Sequence, residues 1–145
     1  MTLIAAFIAA AAIHSGAPGG AQVRNPQAIV RAYVEAYNAR DYGKIERSLH
    51  EEAAWYSVDG ARILEEGAGR TSLMRWMRKY LGETCVSCRS TLLSLGQSGD
   101  YVTTVERADW TRKDGSKASQ SGIGVYRIVD GRISAVWYFP PSAFR

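Results

Sequence analysis

Residues 105–110 read Val-Glu-Arg-Ala-Asp-Trp and place an arginine and an aspartate two positions apart. In an extended strand Arg107 and Asp109 share one face, while Glu106 and Trp110 share the other. A carboxylic acid in an apolar pocket holds its proton and can donate it near neutral pH, whereas a guanidinium beside it favours the ionised form. Two readings follow. Either Asp109 is a proton donor oriented by Arg107 inside a pocket, or the two form an ion pair that holds the register of a sheet. On this reading Glu106 faces solvent or an interface.

The elements around this segment must position it. At 145 residues the chain makes one domain, long enough to bury a core without staples. Its four Trp and eight Tyr can line a cavity or fill an ordinary core. The net charge is +4, and the basic residues are interleaved with Glu and Asp, which leaves no nucleic-acid footprint. The sequence shows no phosphate-binding glycine loop and no metal quartet, so neither cofactor nor metal is expected.

The start of the chain reads differently. Leu3 to Ile13 is an unbroken apolar run followed by Gly19-Gly20-Ala21. The run is too short for a membrane helix, which needs about 20 residues. Its length suits the core of a secretory leader, although no Lys or Arg precedes it. We expect a signal peptide over residues 1–22, a domain over 23–145, periplasmic or secreted location, and no membrane span once the leader is removed. The alternative is a disordered start. Cys85 and Cys88 could pair in an oxidising compartment. Three apart in an extended strand they would lie about 10 Å from each other, beyond disulfide reach, so a bridge requires a turn at Val86-Ser87. Structural or incidental thiols are the expectation.

Asn25-Pro26 opens a helix as N-cap and first-turn proline, and Ile29, Val30, Tyr33, Val34 and Tyr37 recur on one face. Asp41 can cap a short second helix. Ala53 to Val58 reads as a strand, with a turn at Asp59-Gly60 and a short return strand. A third helix runs from about Thr71, and Gly82 ends it as a C′ glycine would. The period then changes to two. Four strands follow, the first beginning at Cys85, separated by Gly99-Asp100, Asp114-Gly115 and Asp130-Gly131. Helices gathered on one face of such a sheet make an α+β fold.

This order, with "YVEAYNARDYGKIERSLHEEAAWYSVDG", "GRTSLMRWM" and "GVYRIVDGRISAVWYF", resembles the nuclear transport factor 2-like superfamily, in its SnoaL-like branch. The resemblance covers everything after the leader. It implies a cone-shaped fold, with a curved antiparallel sheet wrapped around helices and enclosing a cavity, and it implies a homodimer. Members range from isomerases, cyclases and epoxide hydrolases to proteins that bind or only assemble. Residues 105–110 are similar to the limonene epoxide hydrolase segment whose aspartate protonates the epoxide and whose arginine holds it beside a second aspartate. Those two residues fall on Asp109 and Arg107. The second aspartate, which activates water, falls on Tyr138, and its helper tyrosine and asparagine fall on Trp55 and Ser57. In the ketosteroid isomerase comparison the helix tyrosine falls on Tyr33, the general base near Ser57 and the oxyanion-hole acid on Gly124.

With Arg107 and Asp109 facing the cavity, the resemblance and the alternation put Val105, Gly122, Gly124, Tyr126, Ser134, Val136 and Tyr138 on the same wall. Ile133, Ala135 and Trp137 then lie outside, where such dimers pair. Gly122 and Gly124 either make room for a ligand or mark a bulge or close helix approach. Tyr33, Tyr37, Trp55, Trp76, Tyr80, Tyr126 and Tyr138 line a pocket or are plain core, and Ser57 joins the ligand-binding candidates. His50 is read as a local hydrogen-bonder. Three functions stand open: a pocket protein for a small apolar organic molecule; an acid-assisted enzyme using Asp109, Arg107 and Tyr33 or Tyr138; and a structural dimer or protein-interaction module.

Overall fold

The computed structural model describes residues 25–141; the leader expected over residues 1–22 lies outside them. Helix α1 (Pro26–Ala39) starts where expected, with the Asn25 side chain accepting from Gln27 N at 3.0 Å. It ends at Arg40, whose backbone is left-handed (φ 58°). The Asp41 side chain accepts from Lys44 N at 3.0 Å and so caps α2 (Tyr42–Ser48). Strands β1 (Leu49–Asp59) and β2 (Arg62–Ala68) form a hairpin, followed by α3 (Arg70–Lys79). The last four strands are β3 (Arg89–Ser98), β4 (Tyr101–Thr111), β5 (Lys117–Val129) and β6 (Arg132–Phe139).

The six strands form one curved, open sheet in the order β2-β1-β6-β5-β4-β3. Every pair is antiparallel except β1 and β6, which run parallel and join the first hairpin to the later meander. Ile29, Val30, Tyr33 and Val34 of α1 pack into the concave face against Leu49, Val102, Tyr126, Ile128 and Ile133. No helix among the described residues is long and apolar enough to cross a membrane.

Three local expectations are corrected. Gly82 does not stop the third helix: the chain widens into a π-helical turn, Tyr80–Thr84, that runs through it. The first meander strand starts at Arg89 rather than Cys85, because residues 85–88 make a turn closed by Cys88 N–H donating to Cys85 O at 3.0 Å. That turn brings the two Cα atoms to 5.2 Å, and the cysteines are joined as a disulfide rather than free.

The register of β4 is the correction with most consequence. A two-residue turn at Asp114-Gly115 would set Arg107 opposite Gly122. Instead Arg112 N–H donates to Ser116 O at 2.8 Å, Gly115 N–H to Arg112 O at 2.9 Å, and Gly115 has φ 83°. The loop is therefore one residue longer, of the kind that ends in a left-handed glycine, and Glu106 lies opposite Gly122. A shift of one residue turns every side chain to the other face. Val102, Thr104 and Glu106 point inward and are buried, and Arg107 points outward. A bulge between Arg127 and Ile128 of β5 and their β6 partners does the same on a smaller scale. Ile133 is fully buried rather than outside, and the Ser134 hydroxyl donates to Arg127 O on the exposed side.

The end of α1 is pinned to β3 by Asn38. Its side-chain amide donates to Ser90 O (2.7 Å) and its carbonyl accepts from Ser90 N–H (2.8 Å), as a neighbouring strand would. Asn38→Ala leaves both backbone groups of Ser90 without a protein partner. We expect it to lower the unfolding free energy by about 2 kcal/mol in chemical denaturation.

Candidate functional site

A cavity of about 600 Å³ opens between α1, the α3–π-turn segment and the concave face of the sheet. From the helices come Tyr33, Tyr37, Leu73, Trp76, Met77 and Tyr80. The sheet supplies Trp55, Ser57, Ala108, Trp110, Gln120, Tyr126, Val136 and Tyr138, and the turn supplies Cys85 and Cys88. Nine of the twenty lining residues are aromatic, some in tilted or edge contacts such as Tyr33 with Trp55 (centroids 6.2 Å) and with Tyr126 (6.3 Å). At the mouth Trp76 stacks on Tyr80 at 4.9 Å and is 52% exposed.

Beneath the floor lies a buried carboxylate. Glu106 Oε1 accepts from Tyr126 Oη at 2.6 Å and Thr104 Oγ1 at 2.8 Å, and Oε2 accepts from Ser90 Oγ at 3.2 Å. Ser90 and Tyr126 themselves line the cavity, so the carboxylate reaches it through two hydroxyls that it orients. Among the described residues no buried side-chain oxygen or nitrogen lacks a partner.

The carboxylate also colours the phenols around it. Burial, then the charge of Glu106, pushes Tyr33, Tyr126 and Tyr138 above the ordinary tyrosine range. Tyr37 is pushed up to about 12, chiefly by burial and then by Tyr80, with Arg40 opposing. All four hydroxyls therefore stay protonated at neutral pH and serve as hydrogen-bond donors or neutral acceptors, not as bases.

Tyr33, Tyr37, Trp55, Ser57, Trp76, Tyr126, Val136 and Tyr138 of the sequence-derived set line this one cavity. Arg107 and Asp109 do not. They form an ion pair, Nε to Oδ2 at 3.0 Å, on the convex face of the sheet, with side chains 45% and 41% exposed. The proton donor of the sequence reading is thus on the wrong side of β4, and Glu106 takes the inner place.

Gly122 and Gly124 do not make room for a ligand. A Cβ on Gly122 would stand 2.5 Å from Tyr138 Oη, and one on Gly124 would stand 2.7 Å from Thr104 Oγ1 and 3.0 Å from Glu106 Oε1. The glycines admit side chains of the same face. That requirement was the signal for Glu106 in the sequence, since two alternating glycines ask for bulk on the strands beside them. His50 accepts from Glu52 N–H at 3.3 Å, a local bond only. Among the described residues no three His, Cys, Asp or Glu gather as a metal site.

A sequence model of the SnoaL-like domain matches residues 30–136. The chain belongs to the SnoaL-like family. No curated protein matches it. Among solved structures, this SnoaL-like chain is similar to an NTF2-like protein of unknown function from Burkholderia pseudomallei (18% identity, 80% of this chain and 90% of that one, TM-score 0.68). It is also similar to an LEH-like epoxide hydrolase from M. tuberculosis (17%, 80% and 82%, 0.65) and to TerC co-crystallised with polyporic acid (14%, 80% and 91%, 0.67). At these identities the likeness is one of fold.

The raised tyrosines give the SnoaL-like domain a defined alkaline limit. The stability they contribute is fully present below the unfolded value of about 10 and is lost as pH rises toward about 12, where Tyr37 titrates in the fold. Phenolate absorbance followed together with circular dichroism should show these tyrosines ionising with the unfolding transition and not before it.

Proposed function

We propose that this SnoaL-like domain binds a small, largely apolar, ring-shaped organic molecule that is uncharged where it meets the floor. The observation that carries the proposal is the aromatic cavity of about 600 Å³ with Glu106 under its floor. Its size is that of a small-molecule site. Tyr and Trp faces favour flat rings, and the hydroxyls of Tyr33, Tyr37 and Tyr138 suit oxygen substituents on them. A buried carboxylate repels an anion placed near it.

The short bond from Tyr126 to Glu106 supports an acid–base step as a second reading, with Ser90 and Tyr126 passing a proton between the carboxylate and the bound molecule. Such chemistry is not open to Asp109, which is on the other face.

Two further proposals rest on separate features. A homodimer through the convex face is supported by the apolar groups there: Tyr56 stacked on Trp137 at 5.6 Å, with Tyr101 43%, Ile123 49% and Phe139 38% exposed. Export is supported by the apolar run at residues 3–13 together with the disulfide, a bond that persists in oxidising compartments.

Neutral fluorescent N-phenyl-naphthylamine is a suitable probe of the cavity. Ala108 lines it from β4, so Ala108→Trp fills the space and should weaken probe binding more than tenfold while leaving circular dichroism unchanged. Unchanged probe affinity in a folded variant would remove the binding proposal. Ile123→Glu changes only an exposed position and should shift light scattering from dimer to monomer mass; scattering at monomer mass for the wild type would remove the dimer.

A further inference from the structure

The Cys85–Cys88 pair is not a remote staple. Both residues line the cavity, and Cys88 is only 4% exposed. Arg40, left-handed at the end of α1, holds the turn that carries them. Its Nη2 donates to Val86 O at 2.8 Å, to Cys88 O at 2.7 Å and, at 3.4 Å, to Cys85 O. Its Nη1 donates to Tyr37 O at 2.9 Å. On the other side the Ser87 hydroxyl accepts from Thr111 N–H of β4 at 2.9 Å. The turn therefore has its shape fixed by bonds that do not involve sulfur, and the disulfide is not needed to gather the two cysteines.

A disulfide that closes a turn of four residues removes little entropy from the unfolded chain, because the loop it closes is short. Its stabilising role is correspondingly small. What is distinctive is its address, in the wall of a chamber, two residues before Ser90 of the Glu106 cluster. Ala108, the β4 partner of Ser90, and Trp110 flank it on the same inner face.

We infer that Cys85–Cys88 is an exchange site for low-molecular-weight thiols that reach it through the cavity. The thiolate of a small thiol attacks Sγ of Cys85, the less buried residue of the pair, and forms a mixed disulfide. The Cys85–Cys88 bond breaks, and Cys88 leaves as a thiolate that takes up a proton. A second small thiol attacks the mixed disulfide, leaves as the oxidised dimer of the reagent, and frees Cys85 as a thiol. Two electrons and two protons pass to the protein, and two thiols become one disulfide. Because the turn is held by Arg40 and Ser87, the dithiol stays in place and the reverse reaction remains possible.

The test is the rate at which free thiols appear in the folded protein, read by mass after alkylation. Mercaptoethanol should open the bond in the wild type. Filling the cavity with Ala108→Trp should slow the reaction at least tenfold, and so should saturating N-phenyl-naphthylamine on the wild type. In denaturant both proteins should be reduced at the same rate. Equal rates for the filled and unfilled cavities would overturn the proposal, as would a bond that mercaptoethanol opens only on unfolding. The filled variant keeps the test independent of ligand binding. A wild type that fails to bind the probe but whose reduction is slowed by Ala108→Trp would sink the binding proposal and leave the exchange site standing. Were Ala108→Trp not to fold, Gln120→Trp from the neighbouring strand fills the same chamber.

Discussion

Much of this structure is organised by the need to bury one carboxylate. Glu106 sits in the sheet at a place where an unpartnered charge would be very costly. Three hydroxyls meet that need, from Thr104 on its own strand, Tyr126 on β5 and Ser90 on β3. Each fixes something larger. Tyr126 and Ser90 belong to strands on either side of β4, so the cluster ties three adjacent strands through their side chains as well as their backbones. Gly124 must be a glycine so that Thr104 and Glu106 can occupy the space over it. Ser90 in turn is clamped by Asn38, which carries the constraint to the end of α1.

The cavity follows from the same arrangement. Large aromatic rings lean over the cluster from α1 and from the sheet, and their hydroxyls are held neutral by burial and by the negative charge beneath. In the binding role we propose, the oriented hydroxyls of the floor would meet oxygen on the molecule and the aromatic faces would meet its rings. Helix α3 and the π-helical turn after it form the opposite wall, and the i,i+4 spacing at the end of the helix stacks Tyr80 on Trp76 at the mouth.

Local signals in the sequence were reliable wherever a short-range rule decides the outcome. Asn25-Pro26 and Asp41 start helices because side-chain capping is settled within three residues. The period-two stretches after residue 88 are strands, and the aromatic residues of α1, β1, β5 and β6 do line one cavity. What could not be read was the length of one loop. Asp114-Gly115 is a turn signal in either a two- or a three-residue loop, and the difference lies in Arg112 and Ser116 pairing across it. That one residue exchanged the faces of β4, and with them the candidate acid: Asp109 went out, Glu106 came in. The disulfide was hidden for a related reason. An extended chain keeps Cys85 and Cys88 apart, and the turn that joins them depends on Arg40, more than 40 residues earlier in the chain.

The strand order has a consequence for how the chain is made. The last strand in sequence, β6, is central in the sheet, between β1 and β5. While the chain is still being synthesised, β1 can pair with β2 and β5 with β4, but the two halves have nothing between them until residues 132–139 are available. Two sticky strand margins and an unroofed aromatic chamber are thus presented to the translation machinery and to other nascent chains. Premature termination before β6 would not trim an edge; it would split the sheet down its middle.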